Sequence, residues 1–259
     1  MSEFVRLTRE NDIGWLILDR PFARNALNRE MWRAIPALLD EAAEDHAIKV
    51  LVVRGSGGCF AAGADIAEME PFMTDAEEAG AYAAEMAASL DGLARFVKPA
   101  LAMVEGACVG GGLALALACD LRFCAEGARL GVTPSRLGLV YPLGDTARLV
   151  RAAGVSAAKD LLFTGRLIDG EEAKAMGLVD WLLPLDKLDD AVRDYAKVIA
   201  AGSQYSIQGA KRMIGRVLAG KAMESAESRA EFARAAAGPD FREGRSAFLE
   251  KRTPKFPWK

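Results

Sequence analysis

One histidine, His46, serves the whole 259-residue chain, and that scarcity removes most histidine chemistry at once. A Ser-His-Asp relay, a Cys-His pair or a multi-histidine metal site would each have to use His46. It lies in the charged stretch Glu41 to Lys49 and reads as a solvated residue at an exposed helix end. Cysteine is almost as sparse. Cys59, Cys108, Cys119 and Cys124 sit in apolar runs without CxxC spacing, so they read as small buried residues in a reducing compartment, with neither a disulfide frame nor a metal site expected. Basic charge is in no surplus either. The 33 Lys and Arg residues face 36 Asp and Glu residues, a formal charge of −3, which argues against a nucleic-acid partner. The longest small-apolar stretch, Ala107 to Cys119, falls short of the roughly 18 to 20 residues that cross a bilayer. The amino terminus begins polar and acidic, with no basic segment leading into an apolar one, so no export signal is read and a cytoplasmic location without a membrane partner is expected.

The composition, 51% hydrophobic and 27% charged, is that of a globular chain long enough to bury a large core. Short apolar or alternating segments predict strands over Gly14–Asp19, Lys49–Arg54, Ala100–Glu105, Asp120–Ala125 and Leu178–Pro184. Three-to-four spacing of apolar residues predicts helices over Arg29–Glu44, Ala76–Phe96, Ala157–Phe163 and Leu188–Ala201. Alternation of the two predicts an α/β layer structure with crossover-linked strands. Beyond Gln204 only helices are predicted, over Ser206–Leu218, Met223–Ala237 and Phe241–Lys251. The expected organisation is therefore a core over residues 1–203 and an all-helical region over 204–259.

Two small-residue clusters stand out. Phe60-Ala-Ala-Gly-Ala-Asp-Ile66 follows the turn Gly55-Ser-Gly-Gly58, and Val109-Gly-Gly-Gly-Leu113 follows Met103-Val-Glu-Gly106 and opens an alanine-rich helix. Glycine and alanine at such junctions admit a ligand close to the backbone, and the amides at a helix start point outward with the positive end of the dipole behind them. If the two clusters face each other, the amides of Ala64 and Gly111 form an oxyanion hole, commonly worth about 3 to 4 kcal/mol per donor. The plainer alternative is that the triple glycine only permits tight helix-on-strand packing. Neither a G-x-G-x-x-G dinucleotide fingerprint nor a Walker motif occurs.

These clusters, with Arg20-Pro-Phe-Ala-Arg-Asn-Ala-Leu27, Lys98-Pro-Ala, Glu105-Gly106, Cys119-Asp-Leu-Arg122 and Glu243-Gly-Arg-Ser-Ala-Phe-Leu-Glu-Lys-Arg252, resemble the crotonase superfamily, also called enoyl-CoA hydratase/isomerase, nearly end to end. The resemblance implies a spiral of ββα turns with a helical carboxyl-terminal region that trimerises, as a homotrimer or a hexamer built from two trimers. It implies an acyl-CoA thioester as ligand, no separate cofactor, and an oxyanion hole at Ala64 and Gly111. It further implies that Ala23, Ala62 and Ile66 line the adenine and pantetheine path and that Phe248 and Lys251 approach the CoA, often from a neighbouring subunit. Ala67 departs from relatives that often carry lysine near the CoA phosphates.

The acid-base pair also departs. Hydratases of the family use two glutamates where this chain has Ala114 and Pro134, and neither replacement can move a proton, so efficient hydration is not expected. The pattern Thr133-Pro134-x-x-Leu137-Gly138-x-x-Tyr141 resembles the corresponding segment of methylmalonyl-CoA decarboxylase, although that enzyme differs at the position of Ala64. Tyr141 is then expected to orient a substrate carboxylate, or else to plug the core with its hydroxyl bonded to backbone. Asp145 and Glu68 are the other acid-base candidates. Asp145 reads alternatively as an N-cap, Glu68 as a charge serving a helix dipole and Asp65 as a cap, while Arg136 reads as a partner for a substrate carboxylate or as one half of a surface ion pair. Three functions are compatible with these residues: an enolate-forming decarboxylase or isomerase, a hydratase or isomerase using Asp145 or Glu68, and a non-catalytic CoA-binding oligomer.

Overall fold

The structure, a computed structural model, describes residues 2–69 and 75–257. The chain opens with the hairpin β1 (Val5–Glu10) and β2 (Ile13–Leu18), then runs through α1 (Arg29–Glu44), β3 (Val50–Gly55), α2 (Ile66–Met69), α3 (Ala76–Ala94) and β4 (Ala100–Val104). Next come β5 (Ala107–Val109), α4 (Gly111–Ala118), β6 (Leu121–Ala125), β7 (Arg129–Gly131), α5 (Pro134–Leu137), α6 (Leu143–Thr164), β8 (Leu167–Asp169) and α7 (Gly170–Ala175). The remainder is β9 (Trp181–Leu183), α8 (Leu185–Ala201), α9 (Gln204–Leu218), α10 (Ala226–Ala237) and α11 (Pro239–Glu250).

Six strands form one sheet in the order β1-β2-β3-β4-β6-β9, antiparallel only at the β1–β2 hairpin. Parallel strands linked by crossovers need cover on both faces, and β3 accordingly reads Val-Leu-Val-Val, all buried. Its alternate residues serve different layers: Leu51 and Val53 pack with Met31, Trp32 and Ile35 of α1, whereas Val50 and Val52 pack with Leu188, Val192 and Ala196 of α8. Asn28 starts α1 by accepting from the Met31 amide at 2.9 Å, the N-cap arrangement expected of asparagine. A second sheet, β5-β7-β8, is short and carries one side of the candidate site.

The expected α/β architecture is present, and α9 to α11 carry the chain from Gln204 onward without a further strand among the described residues. Three features differ from the expectation. Strand β1 carries no strand signal in the sequence because its polar residues face outward at the sheet edge. Strands β5, β7 and β8 span only three residues each, too few to display a period. The expected helix over residues 157–163 is only the end of α6, which begins at Leu143 and takes a non-helical step at Gly154, where φ is 77°. No described helix is long and apolar enough to cross a membrane.

Gly55 ends β3 where the chain turns toward the first small-residue cluster, and there is no room for a side chain. A Cβ would lie 1.8 Å from the Cys59 carbonyl oxygen and 2.6 Å from Nδ2 of Asn25, which is fully buried. Because the first obstacle is backbone, Gly55→Ala is expected to cost about 3 kcal/mol or more, read as a lower urea midpoint; an unchanged midpoint would show that this turn tolerates displacement.

Candidate active site

The first small-residue cluster runs parallel to β5. The Phe60 amide donates to Glu105 at 2.7 Å, the Ala61 amide to Ala107 at 2.9 Å, and the Val109 amide to Ala61 at 3.0 Å. Ala61 thereby pairs with Cys108. Three residues further along both segments stand Ala64 and Gly111, so the pairing register alone brings them opposite each other. A Cβ built on Gly111 would stand 3.4 Å from the Ala64 nitrogen. Each amide is preceded by a glycine in the left-handed region, Gly63 at φ 117° and Gly110 at φ 53°, which turns the chain and frees the following N–H. Neither the Ala64 nor the Gly111 amide donates to a backbone acceptor among the described residues. Gly111 is also the first residue of α4, where an amide has no partner inside the helix.

Hydrogen bonds clamp this corner. Leu27 donates to Gly63 at 2.7 Å and accepts from Asp65 at 2.9 Å. Arg20 reaches across to Asp65 at 2.5 Å with both side chains mostly buried, and Asp65 also accepts from the amides of Ala67 and Glu68 at 3.2 and 3.4 Å. The indole of Trp32 closes the back, with Cζ2 3.2 Å from the position of a Cβ on Gly111.

The two amides open into a cavity of about 340 Å³ whose wall is mostly apolar, including Met69, Ala83, Met86, Leu137 and Val140. Tyr82, Tyr141 and Asp145 are its titratable residues among those described. The Tyr82 hydroxyl is pushed up to about 12, chiefly by burial. The Tyr141 hydroxyl is buried and has no hydrogen-bond partner among the described residues. Burial first, then the nearby charge of Asp145, holds it well above the usual tyrosine range. Asp145 is 4% exposed. Burial raises its carboxyl above the usual range, partly opposed by Arg148, which donates to it at 2.7 Å. Such a carboxyl holds its proton into a pH range where an exposed aspartate has lost it.

Of the residues anticipated from sequence, Ala62, Ala64, Ile66, Gly111, Tyr141 and Asp145 share this cavity wall. Ala23 belongs to a short turn, Pro21–Ala23, beside it, where Arg24 accepts from the Ala62 amide at 3.0 Å. Glu68 is turned away: its carboxylate accepts from the Arg29 amide at 2.8 Å and so serves the start of α1. Phe248 and Lys251 lie exposed on and just after α11 and do not line the cavity of this chain. Asp145 is not an N-cap; Pro142 holds that position and Asp145 falls in the first turn of α6. Arg136 is exposed and joins no ion pair among the described residues, contrary to expectation. Ala114 is buried within α4 away from the cavity, whereas Pro134 lines it. Sequence reasoning missed Arg148, although its place three residues after Asp145 on one helix was a signal. It also missed Asp91 of α3, for which no local signal exists.

Fold and site together define an α/β protein with two convergent backbone amides at the mouth of an apolar cavity. The sequence profile of the enoyl-CoA hydratase/isomerase family matches residues 8–259, and the chain belongs to that family. It is 36% identical over 266 residues to 2,3-dehydroadipyl-CoA hydratase of Escherichia coli, covering 99% of both chains. Among solved structures it resembles an enoyl-CoA hydratase/isomerase family protein from Hyphomonas neptunium, with a TM-score of 0.97 and 44% identity over 99% of this chain and 98% of that one. An enoyl-CoA hydratase/carnithine racemase from Magnetospirillum magneticum is similar at a TM-score of 0.95 and 36% identity, covering 100% and 97%. The crotonase-type fold anticipated from the motifs is therefore present.

The clamp on Ala64 has a measurable consequence. Arg20→Ala leaves the mostly buried Asp65 carboxylate without its cation, and a loss of about 2 kcal/mol in unfolding free energy is expected. Amide hydrogen exchange should accelerate over residues 61–69; unchanged exchange there would show that Leu27 alone suffices to hold the loop.

Proposed function

We propose that this chain is an acyl-CoA enzyme that holds a thioester enolate between the amides of Ala64 and Gly111, and that it releases CO₂ from a malonyl-type CoA. The observation carrying this reading is a pair of convergent amides, without backbone acceptors among the described residues, that open into an apolar cavity; the resemblance to hydratases puts their two glutamates at positions 114 and 134. Pro134 faces the cavity and Ala114 does not reach it.

Decarboxylation suits such a wall because no strong base is required. The thioester oxygen sits between the two amides, and the unsatisfied Tyr141 hydroxyl binds the carboxylate on the α-carbon. When the bond from the α-carbon to that carboxylate breaks, its electron pair moves into the enolate and the charge settles on the thioester oxygen, where the two donors await it. An apolar surrounding disfavours the ionised carboxylate more than the dispersed charge of the enolate and neutral CO₂. The resemblance in the segment from Thr133 to Tyr141 supports the same assignment, as does the family's use of acyl-CoA substrates.

A second reading is double-bond isomerisation or hydration, favoured by the presence of Asp145 on the same wall. There Asp145 would have to be ionised to remove a proton, against the direction in which burial moves it. Ala23, Ala62 and Ile66 are assigned to the CoA path, with CoA entering as part of the substrate and no separate cofactor.

The exposed Phe232, Phe241, Phe248 and Leu249 on α10 and α11 form the apolar surface through which we assign a homotrimer or a hexamer. Phe248 and Lys251 approach a neighbour's CoA in that assembly.

Three outcomes test the reading. Purified protein given methylmalonyl- or ethylmalonyl-CoA is expected to lose CO₂ by mass spectrometry and to add no water to crotonyl-CoA; robust hydration without CO₂ release overturns the decarboxylase assignment, and tight CoA binding with no turnover identifies a binding protein instead. Tyr141→Phe is expected to lower kcat about 10²-fold with a smaller effect on KM, and unchanged kinetics would remove its role. Light scattering is expected to give three or six times the 27.7 kDa chain mass; a monomer would end the assembly proposal.

A further inference from the structure

Arg148 stands between two carboxylates from different helices. Its guanidinium donates to Asp145 at 2.7 Å within α6 and is hydrogen-bonded through its other terminal nitrogen to Asp91 of α3. Arg148 is itself nearly buried, with a side chain 12% exposed, whereas Asp91 is 42% exposed and also meets Arg95 on its outer side at 3.4 Å. Gly144 lies beside this corner, where a Cβ would come into ordinary contact with the guanidinium, at 3.5 Å, and the Asp91 carboxylate, at 3.9 Å. One cation is thus shared by two carboxyl groups, one outside the cavity and one on its wall.

We propose that Arg148 and Asp91 are positioning residues: the guanidinium fixes the Asp145 carboxyl on the cavity wall, while Asp91 draws off enough of its positive charge for Asp145 to keep the proton that quenches the enolate. The inference rests on the enolate reading of the site and supplies its missing proton. After CO₂ departs, the electron pair of the enolate forms a C–H bond at the α-carbon, and the O–H bond of Asp145 breaks. The thioester carbonyl is restored, and solvent returns the proton to Asp145.

The other groups around Asp145 agree with this division. Tyr141, ahead of α6, keeps its own proton and adds no charge, and Tyr82 of α3, on the same cavity wall, is likewise held in its neutral form by burial. Among the described residues, Arg148 and Asp91 are then left to set the charge balance at Asp145. Burial and Asp91 both favour the protonated form, and Arg148 opposes them. The arrangement predicts opposite effects from its two members. Asp91→Asn keeps an oxygen to accept from Arg148 but removes the negative charge, so the cation acts on Asp145 undivided and eases its ionisation. Arg148→Gln removes the cation and retards ionisation.

The test needs no substrate. Infrared difference spectra of the intact protein follow the C=O stretch of the protonated Asp145 carboxyl, assigned by its disappearance in Asp145→Asn. Against wild type, the Asp91→Asn titration is expected about one pH unit lower, a tenfold loss of proton affinity, and the Arg148→Gln titration higher. An Asp145 titration unmoved by Asp91→Asn overturns the relay, and Asp91→Asn carries the test alone if Arg148→Gln does not fold. With malonyl-type CoA, kcat should fall as pH rises through the Asp145 titration, and this limb should move downward in Asp91→Asn with KM little changed. A limb that stays put while the infrared titration moves overturns Asp145 as the proton donor. Absence of CO₂ release would instead remove the enolate reading while leaving the infrared shift intact, so the two failures are distinguishable.

Discussion

The site depends on a few backbone hydrogen bonds that tie residues 60–61 to the segment 105–109. Their parallel register, with Ala61 against Cys108, places Ala64 against Gly111. A slip of one residue would separate the two amides and turn one of them away. Small residues make the approach possible. Gly112 meets Ala61 so closely that a Cβ there would lie 2.4 Å from the Ala61 oxygen. Much of the surrounding structure serves this join: Leu27 and Arg20 hold the outgoing loop, Trp32 backs the hole, and the second sheet continues from β5 through the bond of the Gly110 amide to Gly131 at 2.8 Å.

Two preorganised amides can stabilise an oxyanion formed in several ways, and so they do not select a reaction. Selection falls to the cavity wall. A wall dominated by methionine, alanine, leucine and valine leaves charge on the substrate poorly solvated, and its few polar groups act with little competition from water. In such a setting the difference between an ionised and a protonated Asp145 separates a base that removes a proton from an acid that delivers one. Family membership fits oxyanion chemistry without selecting a reaction, and in the reading proposed above the buried charge balance around α6 sets the proton transfer that completes it.

The fold class was legible in the sequence because crossover-linked parallel strands have to be apolar throughout, and β3, β4 and β6 are largely so. The motifs carrying Ala64 and Gly111 were legible for a related reason: close backbone approach demands glycine and alanine, and such runs are visible in one dimension. Strands β5, β7 and β8 were not, since three residues carry no period. Gly154 concealed the length of α6 by interrupting its helical pattern.

Sequence alone determined the small residues of the two clusters, the alanine and proline at positions 114 and 134, and the scarcity of histidine that narrows the chemistry. Tertiary structure decided the rest. It turned Glu68 onto the Arg29 amide and away from the cavity, brought Asp145 inside as a buried carboxyl, and left the Tyr141 hydroxyl in the same wall without a partner among the described residues. It also brought Asp91 to Arg148 from 57 residues away. Residue identity sets which proton a side chain can carry, but burial and the charges packed against it decide whether the proton stays, and those neighbours come from remote parts of the chain.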